Sequence, residues 1–382
     1  MIETKFKHTE LGLIPHDWEI KTLADVGTIR MCKRIMKYQT DTSGDIPFYK
    51  IGTFGKIADA FISRELYDDF RKKYNYPKQG DILLSAAGTI GRTVVYDGKP
   101  AYFQDSNIVW IENNESLVLN KLLFYLYHRI NWITDTGTIP RIYNGNISSI
   151  WFPLPPTLAE QEKIANALSK IDQLINDLGA LIEKKKAIKQ GTMQDLLTAK
   201  RRLKGFTGEW NSVKLGDLLE YKQPTKYLVS SKEYTTQGIP VLTAGKTFIL
   251  GYTQENWGLY DDLPVIIFDD FVVESKYVTM PFKVKSSAIK MLSLREKEND
   301  LRFIFEKMQC IEFPIADHKR HWISEYSQLE ITIPEPNEQC AIANILSSMD
   351  TEITNLEQKR NKYIAIKQGM MQNLLTGKIR LI

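Results

Sequence analysis

The chain has 382 residues, 43% hydrophobic and 25% charged, with a formal net charge of +4, enough for two domains and connectors of ordinary globular composition. Three scattered cysteines, Cys32, Cys310 and Cys340, exclude a disulfide framework and lack metal-type spacing. No apolar run approaches the roughly 20 residues of a membrane span and the opening MIETKFKHTE is not a signal peptide, so a cytoplasmic protein is expected.

Charge is uneven along the chain. It is −2 over residues 1–19, +4 over 20–155, +4 over 156–205, −3 over 206–334 and +1 over 335–382. Any nucleic-acid contact must therefore come from local patches.

The first module opens with DWEIKTLADVG (Asp17 to Gly27) and an Ile-Pro strand start at Ile46. An apolar β-like run follows, DILLSAAGTIG (Asp81 to Gly91), then a helical aromatic stretch, KLLFYLYHRI (Lys121 to Ile130). It closes on ISSIWFPLPP, a strand running into a proline hinge.

A long helix comes next. Ile164, Leu168, Ile171, Ile175, Leu178 and Ile182 alternate in steps of four and three, the seam by which one helix packs along another. Thr157 and Glu160 have capping-box spacing. About 40 residues from Thr157 to Leu197 give roughly 60 Å of helix.

The second module repeats the plan with EWNSVKLGDLLE (Glu209 to Glu220), an Ile-Pro start at Ile239, LPVIIFDDF (Leu263 to Phe271), LRFIFEKM (Leu301 to Met308) and the close LEITIPEP. Trp210 matches Trp18 and Asp217 matches Asp25. The second helix begins at Pro336, suited to a first helical position, and carries the seam Ile342, Leu346, Met349, Ile353 and Leu356.

The helical segments are copies. Glu160 to Leu203 realigns on Glu338 to Leu381 at an offset of 178 without a gap, with 24 of 44 positions identical. Lys185 and Arg360 fall where the next seam residue is due, either a stutter in packing or a device fixing register. Gly191 and Gly369 predict a bend or a close approach. Repetition of surface residues such as Lys189 and Gln190 points beyond packing, to a partner-docking surface.

The fold expected is α/β (mixed α+β). Two globular domains, residues 1–155 and 206–334, are separated by two long antiparallel coiled-coil helices, 156–205 and 335–382, under a pseudo-two-fold axis.

Candidate nucleic-acid contacts lie in polar loops near aromatics. In the first module these are Arg92, Gln104, Asn107, Arg141, Tyr143 and Asn144. In the second they are Lys222, Gln223, Lys226, Tyr227, Lys246, Lys283, Lys285, Ser286, Ser287, Lys319 and Arg320. Arginine and lysine suit phosphate or guanine, asparagine and glutamine suit adenine.

Catalytic motifs are wanting. The one Pro-Pro pair, Pro155-Pro156, has the wrong neighbours for a base-flipping methylase loop. TAGKT (Thr243 to Thr247) resembles the end of a P-loop, but Pro240 stands where the first glycine is required. Asp269, Asp270, Glu274 and Lys276 are superficially like an acidic nuclease site, too closely spaced for the usual two-strand layout. His318 and His321 have no third ligand.

The repeated PPTLAEQEKIANALSKID with AIKQGTMQDLLT, and PNEQCAIANILSSMD with AIKQGMMQNLLTGKIRL, resemble the specificity subunits of type I restriction–modification systems. The tryptophan-bearing module starts and GDILLSAAGTIGR are similar to that family's target-recognition domains, and the likeness spans nearly the whole chain. The resemblance implies a non-catalytic subunit whose two modules each read half of a bipartite duplex site. Its helices would set the spacer and dock two modification (methyltransferase) subunits, with restriction (translocase/nuclease) subunits joining. S-adenosylmethionine, ATP and Mg would belong to those partners, with no cofactor in this chain. Two rival readings stay open: a metal-dependent nuclease using Asp270, Glu274 and Lys276, and a coiled-coil scaffold without DNA contact.

Overall fold

The computed structural model describes residues 5–132, 140–231, 233–245, 247–314 and 320–382. The chain divides into two compact units, residues 1–178 with 359–382, and residues 179–358. Lys246, His318 and Lys319 lie outside the described residues.

The first module is built from β1 (Phe6–Thr9), β2 (Gly12–Pro15), β3 (Glu19–Thr22), α1 (Leu23–Val26), β4 (Gly27–Met31), β5 (Ile46–Tyr49), β6 (Phe61–Ile62), α2 (Arg64–Lys73), β7 (Ile82–Ser85), β8 (Thr93–Val95), β9 (Tyr102–Phe103), β10 (Ile108–Asn113), α3 (Asn120–Tyr127), α4 (Asn144–Ser148) and β11 (Trp151–Leu154). An antiparallel sheet runs β4-β10-β7-β8, and a smaller sheet runs β6-β5-β9 with β5 and β9 parallel. After the β1–β2 hairpin, β3 pairs antiparallel with the last strand, β11, so the chain enters and leaves the body of the module side by side.

Alternation explains why Ile82, Leu83 and Leu84 are apolar without a break. Ile82 and Leu84 of β7 point into one core with Val109, Ile111 and α3, while Leu83 points into the other with Ile108, Trp110 and Phe48. A strand buried on both faces needs no polar position.

After α5 (Leu158–Leu197) come β12 (Asn211–Lys214), α6 (Leu215–Leu218), β13 (Leu219–Lys222), β14 (Ile239–Leu242), β15 (Ile249–Thr253), β16 (Val265–Asp269), β17 (Ser275–Val278), β18 (Lys283–Val284), β19 (Ile289–Leu294), α7 (Leu301–Gln309), β20 (Glu330–Ile333) and α8 (Pro336–Leu374). The strand orders β13-β19-β16-β17, β15-β14-β18 and β12-β20 reproduce those of the first module, including the parallel pair β14·β18. Ile266 and Phe268 face one core, Val265 and Ile267 the other. Topology is thus kept where sequence has diverged. Details differ: Asp25 closes a capping box on Thr22, whereas its counterpart Asp217 sits in a helix with no side-chain cap.

Each unit holds the first half of one long helix against the second half of the other, antiparallel. In the first unit Ile164 and Leu168 pack with Leu374 and Leu375. In the second, Ile342 and Leu346 pack with Met193, Leu196 and Leu197. Of the seam, Ile164, Leu168, Ile171, Leu178, Ile182, Ile342, Leu346 and Ile353 are buried, and Ile175, Met349 and Leu356 are half-buried.

Ion pairs repeat under the same offset of 178. Arg380 grips Glu160 at 2.5 and 2.8 Å, and its counterpart Arg202 grips Glu338 at 2.7 and 2.6 Å. Arg380 lies over Trp18, and Arg202 over Trp210. Lys367 reaches Asp172 at 2.6 Å, and Lys189 reaches Asp350 at 2.7 Å. Gln161 bonds Leu119, Leu117 and Pro155, and Gln339 bonds Asp300, Asn299 and Pro334.

Three expectations are corrected here, on Lys189, on the Thr157 cap and on the two helix glycines. Lys189 is not a spare surface residue, since its ion pair accounts for its repetition. Thr157 does cap the Glu160 N–H, but the Glu160 carboxylate goes to Arg380 and not back to the cap. Gly191 and Gly369 neither break their helices nor make a close approach, because a Cβ at either would meet nothing within 4 Å. Lys185 reaches across to Glu352 at 2.7 Å, while Arg360 stands exposed.

The helices stop differently. Gly377 takes the left-handed conformation at φ +69° just after α8, with a Cβ position that would lie 2.3 Å from Pro15. The matching residue after α5 is Ala199, held at φ +58°, where an alanine is strained.

Candidate nucleic-acid interface

In the first module, three loops separated in sequence meet. Ala86 donates its N–H to Asn107 O at 2.8 Å and accepts from Ile142 N–H at 2.9 Å, and Gly88 donates to Pro140 O at 3.0 Å. Arg141 donates Nη2–H to Asn107 Oδ1 at 2.8 Å and remains exposed, beside exposed Tyr143 and Asn144. Gln104 and Arg92 are half-buried and bind backbone: Gln104 Oε1 accepts from Ile51 N–H, and Arg92 Nη1 donates to Phe54 O. Arg141, Tyr143 and Asn144 can therefore touch a ligand, while Arg92 and Gln104 shape the loops that carry them.

The second module gathers its loops likewise. Val229 N–H donates to Val284 O, and Lys285 N–H to Leu242 O, so the YKQPTKY and FKVKSS segments adjoin the end of β14. Lys226, Lys285, Ser287 and Arg320 are exposed. Ser286 Oγ accepts Ala288 N–H and Tyr227 lies edge-on to Tyr260. Lys222 pairs with Asp262 at 2.5 Å, which raises the Lys222 pKa. Gln223 Oε1 accepts from Lys290 Nζ at 3.1 Å.

Lys283 is a correction. Its side chain is wholly buried, paired with Glu255 at 2.7 Å, donating to Trp257 O at 2.8 Å and seated 3.7 Å from the Trp257 ring. A cation so enclosed holds the small sheet together and cannot reach a nucleic acid. Lys290 is another buried cation, between Gln223, Asp270 and the Tyr221 ring. Nothing in IKMLSL distinguishes it from an exposed lysine.

Two carboxylates of the nuclease reading, Asp269 and Asp270, are committed to structure. Asp270 is buried, its Oδ1 accepting Trp322 N–H at 2.8 Å, and Asp269 Oδ1 caps the turn at Phe271 N–H. His321 is buried and pairs with Glu325 at 3.2 Å, a core histidine.

The type I restriction modification DNA specificity domain matches twice, over residues 15–190 and 207–365. The chain belongs to that family of DNA specificity proteins and carries two such domains. It is 58% identical over 157 residues to a Haemophilus influenzae protein assigned as a type I restriction enzyme specificity subunit, covering 41% of this chain and 40% of that one. It is 40% identical over 211 residues to the specificity subunit of the Escherichia coli type I restriction enzyme EcoR124I/EcoR124II, covering 49% of this chain. The chain thus spans 40% and 52% of the length of these two relatives. The fold is that of the S subunit of a type I restriction–modification system from M. genitalium, at TM-score 0.67 and 16% identity over 98% of this chain and 99% of that one.

Proposed function

We propose that the chain is the DNA-reading, non-catalytic subunit of a cytoplasmic type I restriction–modification complex. Each module reads one half of a bipartite duplex site through its exposed loop residues, by base-edge contacts in the major groove and by phosphate contacts. The paired helices set the unspecific spacer and dock two modification subunits, which restriction subunits join. S-adenosylmethionine, ATP and Mg act on those partners.

The observation that carries this reading is repetition with divergence. The modules share one strand order, yet their polar loops differ, while the helices keep the same ion pairs at an offset of 178. Ile188 and Ile366, equivalent and identical, stand 45% and 40% exposed beside exposed Gln190 and Gln368. An apolar side chain left in solvent at the same place in both helices supports a docked partner there.

The test is methylome sequencing of a host expressing the chain with its modification subunit. Because each helix serves both units, residues 176–182 and 354–360 are deleted together. Seven helical residues span about 10 Å, or about 3 base pairs at 3.4 Å each. The methylated motif should keep its half-sites and lose about that many spacer positions. Altered half-sites with an unaltered spacer would overturn the proposal.

A further inference from the structure

An open groove of about 700 Å³ lies in the first module, sharing only Asp105 with the loops read from the sequence as contacts. It is lined by Lys33 and Arg34 after β4, Lys72, Lys73, Tyr74 and Asn75 at the end of α2, and Asp105. Asp105 stands between the candidates Gln104 and Asn107 in the chain, so the groove adjoins the loop that carries them.

Four cations against one carboxylate leave the lining strongly positive. Arg34 pairs with Asp105 at 2.8 Å and Lys73 with Asp69 at 2.6 Å. Lys33 and Lys72 are exposed and, among the described residues, have no carboxylate partner. Lys33 lies 5.2 Å from the Tyr74 ring, which is 42% exposed. The arrangement is built: Ser63 caps α2 and buried Tyr67 anchors it, so that its last turn presents the lysines. Arg71, by contrast, is drawn onto the Tyr67 and Tyr76 rings. Asp105 and Asp69 set against the four cations leave two net positive charges, more than the roughly half a negative charge at the carbonyl end of the helix.

Among the described residues, the second module has no counterpart of this groove and its helix. Residues 254–264 connect β15 to β16 without a helix, and that module is net acidic. We infer that this groove is a phosphate clamp of the first module alone, gripping the DNA backbone through Lys33, Lys72 and Lys73 without reading bases. The two halves of the site are then held unequally: the first module supplies more of the electrostatic affinity, the second less. This rests on the DNA-reading role proposed above.

The experiment measures DNA affinity of the chain with its modification subunits as a function of salt, on duplexes bearing the methylated motif. The triple variant K33Q/K72Q/K73Q is compared with K33R/K72R/K73R and with K99Q/K121Q, exposed lysines of the same module outside the groove. Each phosphate contact contributes about 0.9 to the slope of log K against log salt. Between 50 and 200 mM salt the unaltered chain should lose roughly 40-fold more affinity than the glutamine variant. The arginine variant and the control pair should match the unaltered chain, and the methylated motif should not change. A glutamine variant that keeps the full salt slope overturns the clamp. So does a slope lost equally in the control pair. Failure of the unaltered chain to bind any duplex would instead sink the DNA-reading role itself.

Discussion

Replacing Arg380 by methionine isolates what the helix ends contribute. Arg380 holds Glu160, whose side chain is 3% exposed, through two hydrogen bonds, and Asp17, 55% exposed, through two more. Methionine keeps much of the stem that packs near Trp18, so the loss is that of the charge. Stranding a buried carboxylate costs about 3–5 kcal/mol, whereas the exposed Asp17 partner adds little. At a urea slope of about 2 kcal/mol/M, the unfolding midpoint of the first unit should fall by roughly 2 M. Hydrogen-exchange mass spectrometry across a urea series reads the two units separately, since peptides from β3, α3 and the end of α8 report the first. E160M/R380M should recover most of the loss, because a buried pair replaced by apolar side chains is near neutral. A cost below about 1 kcal/mol for R380M, the range of a surface pair, would refute the reasoning. So would additive costs in the double variant.

Two further outcomes follow from local geometry. A199G should stabilise the second unit by about 1 kcal/mol by relieving an alanine from the left-handed region, while G377A should destabilise the first by more, given its contact with Pro15. Both are read by the same exchange series, and destabilisation by A199G would contradict the strain. The hydrogen bond from Arg380 lowers the Asp17 pKa. A carboxyl depressed on folding contributes stability above its unfolded value near 4 that is lost as pH falls through the lower folded value. D17N should flatten that acid limb below about pH 4 in pH-dependent unfolding, and an unchanged limb would contradict the coupling.

The long helices were open to sequence reading because a seam in steps of four and three states both their length and their buried face. Their ion pairs were not, since Lys189 and Asp350 are 161 residues apart and each looks like an ordinary surface charge. The same long-range capture took Glu160 from its apparent capping box. Helix α2 escaped notice because RELYDDFRKK is charged nearly all round and anchored by one buried tyrosine. Lys283 misled for the opposite reason, and Lys290 passed unremarked: a lysine in a short strand gives no sign of the carboxylate or ring that will enclose it. Strand order survived divergence of the modules because a sheet asks for alternation and not for particular residues.

Grafting a foreign specificity domain in place of residues 206–334 asks whether the two heads act independently on one duplex. Methylome sequencing of a host making the chimaera and its modification subunit should return a motif with one half replaced and the other half and spacer preserved. Preservation of the whole original motif, or simultaneous change of both halves by a folded, methylating chimaera, would contradict the account.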